Sequence, residues 1–165
     1  MVIRSRRGWT LVELMIMVAI VGVLASIAPS IISQTTKFFI LSRTKLQLQE
    51  EARATMYLMT RELRQAQSGT ITITQATGQP YYSQISFQKF GSAQTMTYTQ
   101  NGSNLVLTNG TNITTLTTDL AYLAFTFPHS DDMTILSVSL TLQKQIYGGQ
   151  FKALHMASER VRVMN

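Results

Sequence analysis

The chain has no cysteine, which excludes a disulfide framework and any thiolate metal site and leaves the fold to be held by packing alone. An oxidising compartment stays open. Charge is scarce as well: 13% of the residues are charged and 45% hydrophobic, against about 25% charged in an average soluble protein. That balance points to a membrane-linked or surface-assembled product and away from a disordered one. With eight acids and two histidines in all, catalytic constellations can be enumerated. The sequence holds no G-x-S-x-G elbow, no P-loop, no H-E-x-x-H and no pair of acids in a recognisable cleft pattern. The densest polar cluster, His129-Ser130-Asp131-Asp132, lacks the alternating oxygen ligands and the turn glycine that a hard cation requires. Following Pro128, it reads as a surface loop. His155, between Leu154 and Met156, reads as structural. No enzymatic activity, metal or cofactor is expected.

At 165 residues the chain accommodates one globular head and an appendage. Its net charge of +6 invites a nucleic-acid reading, but Arg4, Arg6 and Arg7 stand in the leader, and without them 11 basic residues face 8 acidic ones, a net +3. The remaining Lys and Arg are scattered from Lys37 to Arg162 with no aromatic-interleaved basic stripe. The basic excess therefore reads as a topology signal, with nucleic-acid contact a minor alternative.

Residues 14–36 form a run of 23 without a charge, longer than the ~20 needed to cross a hydrocarbon core of ~30 Å. Arg4, Arg6 and Arg7 just before it keep the N-terminus cytoplasmic by the positive-inside rule. A cleaved secretory signal is the alternative, with Ala25-Ser26-Ile27-Ala28 as its cleavage mimic. Against it stand the length of the run, its continuation into Ile31-Ile32, and an acid, Glu13, at its front. An ionisable group at helix depth costs roughly 2.5–3.5 kcal/mol on the translocon scale, so Glu13 requires compensation. The nearest plausible cation is an N-terminal ammonium, because no Lys or Arg occurs between Arg7 and Lys37. An ammonium about one helical turn before Glu13, at ~1.5 Å rise per residue, would leave an internal pair open. So is snorkelling of Glu13 to the cytoplasmic headgroups.

The stretch Gly8-Trp9-Thr10-Leu11-Val12-Glu13-Leu14-Met15-Ile16, after a short basic leader and with Gly22 inside a long apolar helix, resembles the class III signal of type IV prepilins and type II secretion pseudopilins. The resemblance is tight over the first 32 residues or so. It implies cleavage after Gly8 by a prepilin peptidase that also methylates the new Trp9 amine, delivery to an inner-membrane assembly platform, and packing with other pilin or pseudopilin subunits. It further implies that Glu13 pairs with the amine of a neighbouring subunit. Trp9 stands where phenylalanine is usual, and an aromatic there still anchors the helix end at the interface. Pro29 falls one residue before the family's common helix proline, where it removes one helical hydrogen bond and is able to kink or melt the span.

Beyond Lys37, Leu41, Leu48, Ala52, Met56, Met59, Leu63 and Ala66 recur at spacings of 7, 4, 4, 3, 4 and 3, an apolar stripe on a helix. Arg61, Glu62 and Arg64 read as its solvated flank. One helix over residues 9–67 is predicted, with Gly69 near its C-cap. The segment of residues 51–66 is similar to the same region of J-type minor pseudopilins and related minor pilins. Period-2 alternation predicts strands at 70–74, 84–88, 95–98, 104–107, 121–127 and 135–142. Turn signals stand at Asn101-Gly102, Asn109-Gly110 and Gly148-Gly149. The sequons at Asn101, Asn109 and Asn112 read as turn chemistry.

The expected architecture is α+β: a long N-terminal helix, half transmembrane and half amphipathic, packed on an antiparallel β-sheet head. Its parts are a leader over 1–8, a transmembrane and assembly helix over 9–36 and a head over 37–165. The expected function is a structural subunit of a pilus or pseudopilus in the bacterial inner membrane, with the head outside the cytoplasm. The alternative from another class is a membrane-tethered binding module for DNA or a surface ligand.

Overall fold

The computed structural model describes residues 8–129, 132–149 and 151–163. Its first element, α1 (Leu11–Arg64), is a single 54-residue α-helix. It continues through Pro29, so the proline does not melt the span. By its internal contacts the chain divides into a unit over Met1–Ile40 and a second over Leu41–Asn165.

In the first unit every described residue up to Phe39 is exposed. Four of its hydroxyls bond to carbonyls within the helix. Ser26 and Ser30 donate to the carbonyls of Val23 and Ile27 at 2.7 and 2.8 Å, and Thr35 and Thr36 to those of Ile31 and Ile32 at 2.9 Å each. A hydroxyl closed in this way presents no unpaired donor to hydrocarbon. It is the one helix among the described residues long and apolar enough to cross a membrane.

The second unit is built on the predicted stripe. Leu48, Ala52, Met56, Met59, Leu63 and Ala66 are all buried, and Leu41 packs partly buried against them. Beyond the helix the described residues form eight strands: β1 (Thr72–Thr74), β2 (Gln84–Gln88), β3 (Thr95–Asn101), β4 (Asn104–Asn109), β5 (Asn112–Thr117), β6 (Leu120–Thr126), β7 (Ile135–Ile146) and β8 (Phe151–Arg162). They form two antiparallel meanders, β1 to β5 and β6 to β8, where one sheet was expected. The inward residues of both join the stripe in one core, Ile85, Phe87 and Tyr98 from the first, Phe125, Leu140 and Leu142 from the second.

Two of the predicted turns are two-residue hairpin loops. Gly102 and Gly110 have φ of +59° and +61°, the first-position glycine that a tight hairpin with right-handed strand twist demands. At Gly110 a Cβ would also strike the Gln94 side chain. The third sequon departs from its reading: Asn112-Ile113-Thr114 lies in β5, not in a turn.

The helix ends three residues earlier than predicted, and Gly69 does not cap it. The amides of Gln65 and Ala66 turn back to the carbonyls of Glu62 and Leu63 at 3.1 Å each, closing the last turn in the tighter 3₁₀ manner. The chain then leaves to pair with β2: Ala66 bridges Lys89, and the Gln67 amide donates to the Gln88 carbonyl at 2.9 Å. Gly69 lies in a following 3₁₀ turn, Ser68–Thr70.

Glu62 also departs from its reading as a solvated residue. It is 7% exposed and ion-paired with Lys89, while Arg61 approaches its other oxygen at 3.8 Å. Partial burial and then the Arg61 guanidinium hold the Lys89 ammonium below its ordinary pKa, while the direct Glu62 contact favours the charged form. The pair joins the end of α1 to the residue just past β2. Removing the cation strands a buried carboxylate, which for a fully buried pair costs 3–5 kcal/mol. Because the Lys89 side chain is 29% exposed, Lys89→Ala is expected to cost less, about 1–3 kcal/mol. Thermal melting of the full chain in detergent measures it, and an unchanged midpoint would contradict the assignment.

Candidate functional site

The start of α1 carries the residues singled out from the sequence. Gly8, Trp9 and Thr10 precede the helix, and all are exposed, Trp9 by 69%. Arg4, Arg6 and Arg7 lie outside the described residues. Glu13, in the first turn, is held by Thr10 in a reciprocal pattern. The Thr10 amide donates to Glu13 Oε2 at 2.9 Å, the Thr10 hydroxyl donates to the same oxygen at 3.1 Å, and the Glu13 amide donates to the Thr10 hydroxyl at 3.3 Å. This is a capping box, with Thr10 as N-cap and Glu13 as the third helical residue. The box uses donors that every helix start leaves without an intrahelical partner, and it gives Glu13 a local role that the reasoning about an ammonium partner overlooked. Its signal, a threonine three residues before a glutamate ahead of an apolar run, is present in the sequence.

The box satisfies hydrogen bonds but does not neutralise the carboxylate. A charge taken into hydrocarbon still requires an opposite charge, because neutral donors recover only part of its hydration. Both contacts to the carboxylate fall on Oε2, which leaves Oε1 without a hydrogen bond among the described residues. The box also survives a cut after Gly8, since it begins at the Thr10 amide and hydroxyl.

Two glycines in this unit have no explanation inside the chain. A Cβ at Gly8 or at Gly22 would meet nothing within 4 Å, and neither has a positive φ. A glycine inside a helix costs about 1 kcal/mol relative to alanine. Their smallness is therefore available to something outside the chain.

At the far end of the apolar unit, Phe38 and Phe39 are 71% and 65% exposed. From Leu11 to Phe39 the helix rises ~42 Å at ~1.5 Å per residue. That length is enough for a bilayer with its headgroup layers, ~40–45 Å, and it sets Trp9 and the phenylalanine pair at opposite ends of the apolar unit.

The other expected sites are modest. Asp132 accepts from the Thr134 amide at 2.8 Å and from its hydroxyl, and these bonds hold its carboxyl below the usual carboxylate range. It stabilises the turn into β7; Ser130 and Asp131 lie outside the described residues. His155 sits half-buried on β8. Among the described residues no three His, Asp or Glu side chains converge on a metal position. No family profile matches the chain, and neither a curated protein nor a solved structure does so.

Proposed function

We propose that this chain is a minor pilin or pseudopilin: a subunit inserted with its N-terminus inside, cleaved after Gly8, methylated at Trp9 and packed by its apolar helix into a filament or filament tip. The observation that carries the reading is an exposed apolar helix with one acid at its start, capped in hydrogen bonds yet without an ion pair among the described residues. A plain membrane anchor has a use for that side chain as a cap but none for its charge, since Gln caps equally well. In a filament, the Trp9 ammonium of a neighbouring subunit supplies the missing charge, and the pair sets the stagger between subunits.

Gly8 and Gly22 fit the same account. A peptidase that must bring its catalytic groups against the backbone favours glycine at the scissile position, and a small residue in mid-span lets another helix approach closely. The head outside the membrane is then the part that meets other subunits or cargo. Mass spectrometry of the membrane-extracted protein tests the reading. The expected N-terminus is methylated Trp9, and an N-terminus at Met1 or beyond Ala28 would overturn it.

A further inference from the structure

Along α1, Arg53, Tyr57, Arg61 and Arg64 follow one another at spacings of 4, 4 and 3, so they share one side of the helix. That side forms one wall of an open groove of about 510 Å³ whose other wall is β8 at Ala157 and Glu159. The floor is apolar, with Met56 at its base. Tyr57 stands 69% exposed at the rim, a large aromatic surface left in water between guanidinium groups.

The charges of the groove do not balance. Arg53 has no ion-pair partner among the described residues, and Arg61 touches only Glu62, whose carboxylate is engaged by Lys89. Arg64 meets Glu159 at 3.8 Å with both side chains about half exposed, a contact worth at most about 1 kcal/mol and readily exchanged. Three guanidinium groups therefore face one weakly held carboxylate. Arginine and tyrosine around an apolar floor are the composition of a binding hot spot, and guanidinium pairs carboxylate in bidentate geometry.

We propose that the groove between α1 and β8 docks an acidic segment of a partner protein, with carboxylates on Arg53, Arg61 and Arg64 and an apolar side chain between them over Met56 and Tyr57. A nucleic acid fits less well. Its affinity comes from several phosphates neutralised along a track, whereas this groove offers three cations around an apolar floor and places Glu159 among them. The inference concerns the head alone and stands whether or not the chain assembles into a filament.

The test uses the full chain in nanodiscs of zwitterionic lipid, with a twelve-residue peptide of alternating Glu and Leu as probe. The same peptide with Lys or Gln in place of Glu, and a duplex DNA of equal charge, serve as comparisons. The Glu peptide is expected to bind best, to weaken as salt rises, and to lose at least tenfold in affinity on Arg53→Glu, which breaks no ion pair among the described residues. Arg53→Lys is expected to retain most of the binding, and Tyr57→Ala to lose several-fold at unchanged salt dependence. Equal binding of the Gln or Lys peptide, tighter binding of the duplex, or an Arg53→Glu variant within twofold of the parent would each overturn the proposal.

Discussion

Glu13→Gln is expected to insert, fold and be processed as the parent does, and to fail to enter filaments. Glutamine keeps the side-chain oxygen that accepts from Thr10, since Glu and Gln serve equally at the third position of a capping box. What it removes is the charge. If capping were the whole role of Glu13, the variant would be silent. If the carboxylate is what a neighbouring ammonium recognises, its loss removes the interaction that makes burial favourable, and assembly falls to background. Glu13→Leu should behave alike in assembly while inserting more readily, because the penalty of roughly 2.5–3.5 kcal/mol for an acid in the span is gone. Thr10→Ala gives the converse comparison. It loses the hydroxyl bonds of the box at about 0.5–2 kcal/mol of helix-start stability and should still assemble. Normal incorporation of Glu13→Gln into filaments, read by immunoblot of sheared fibres, would refute the electrostatic latch.

The second large effect is expected at Gly8. In Gly8→Val the leader should stay attached in all molecules, so that the intact mass equals that of the uncut chain and no filament forms. The fold offers no reason for this result, because a side chain at Gly8 meets nothing within 4 Å. The variant should insert and melt as the parent does. A valine variant with the mature mass would show that the small residue is not read by a peptidase. A variant that fails to accumulate at all would contradict the exposed, structurally idle position of Gly8.

Legibility in the sequence followed the range of the interactions concerned. The stripe from Leu41 to Ala66 was readable because a helix repeats its buried face every three or four residues, and each of those side chains is at or beside the core. Strand β2 was readable over its whole length, since Ile85 and Phe87 alternate with polar neighbours. Strand β8 was not. Its inward positions are Ala153, His155, Ala157, Glu159 and Val161, while Leu154 and Met156 lie outward and exposed, which inverts the usual pattern. Twelve register pairs with β7 hold it in place, and backbone pairing leaves no trace in side-chain hydropathy. Strand β5 is similarly obscure: it lies at a sheet edge with four of its six residues exposed. At the helix start the opposite happened, for the threonine and glutamate of the capping box stand in plain sight and a charge argument alone passed over them.

By itself the sequence determined the long apolar helix, the helical stripe, the hairpin turns at Gly102 and Gly110 and the lone acid at the helix start. Each depends on neighbours within a few positions, where periodicity and allowed backbone angles suffice. Only the tertiary structure decided that the strands divide into two sheets, that Glu62 is buried against Lys89, that the helix leaves its path before Gly69, and that three arginines border a groove with β8. Those outcomes depend on which distant segments meet, and the energy of such a meeting belongs to the pair rather than to either stretch of chain.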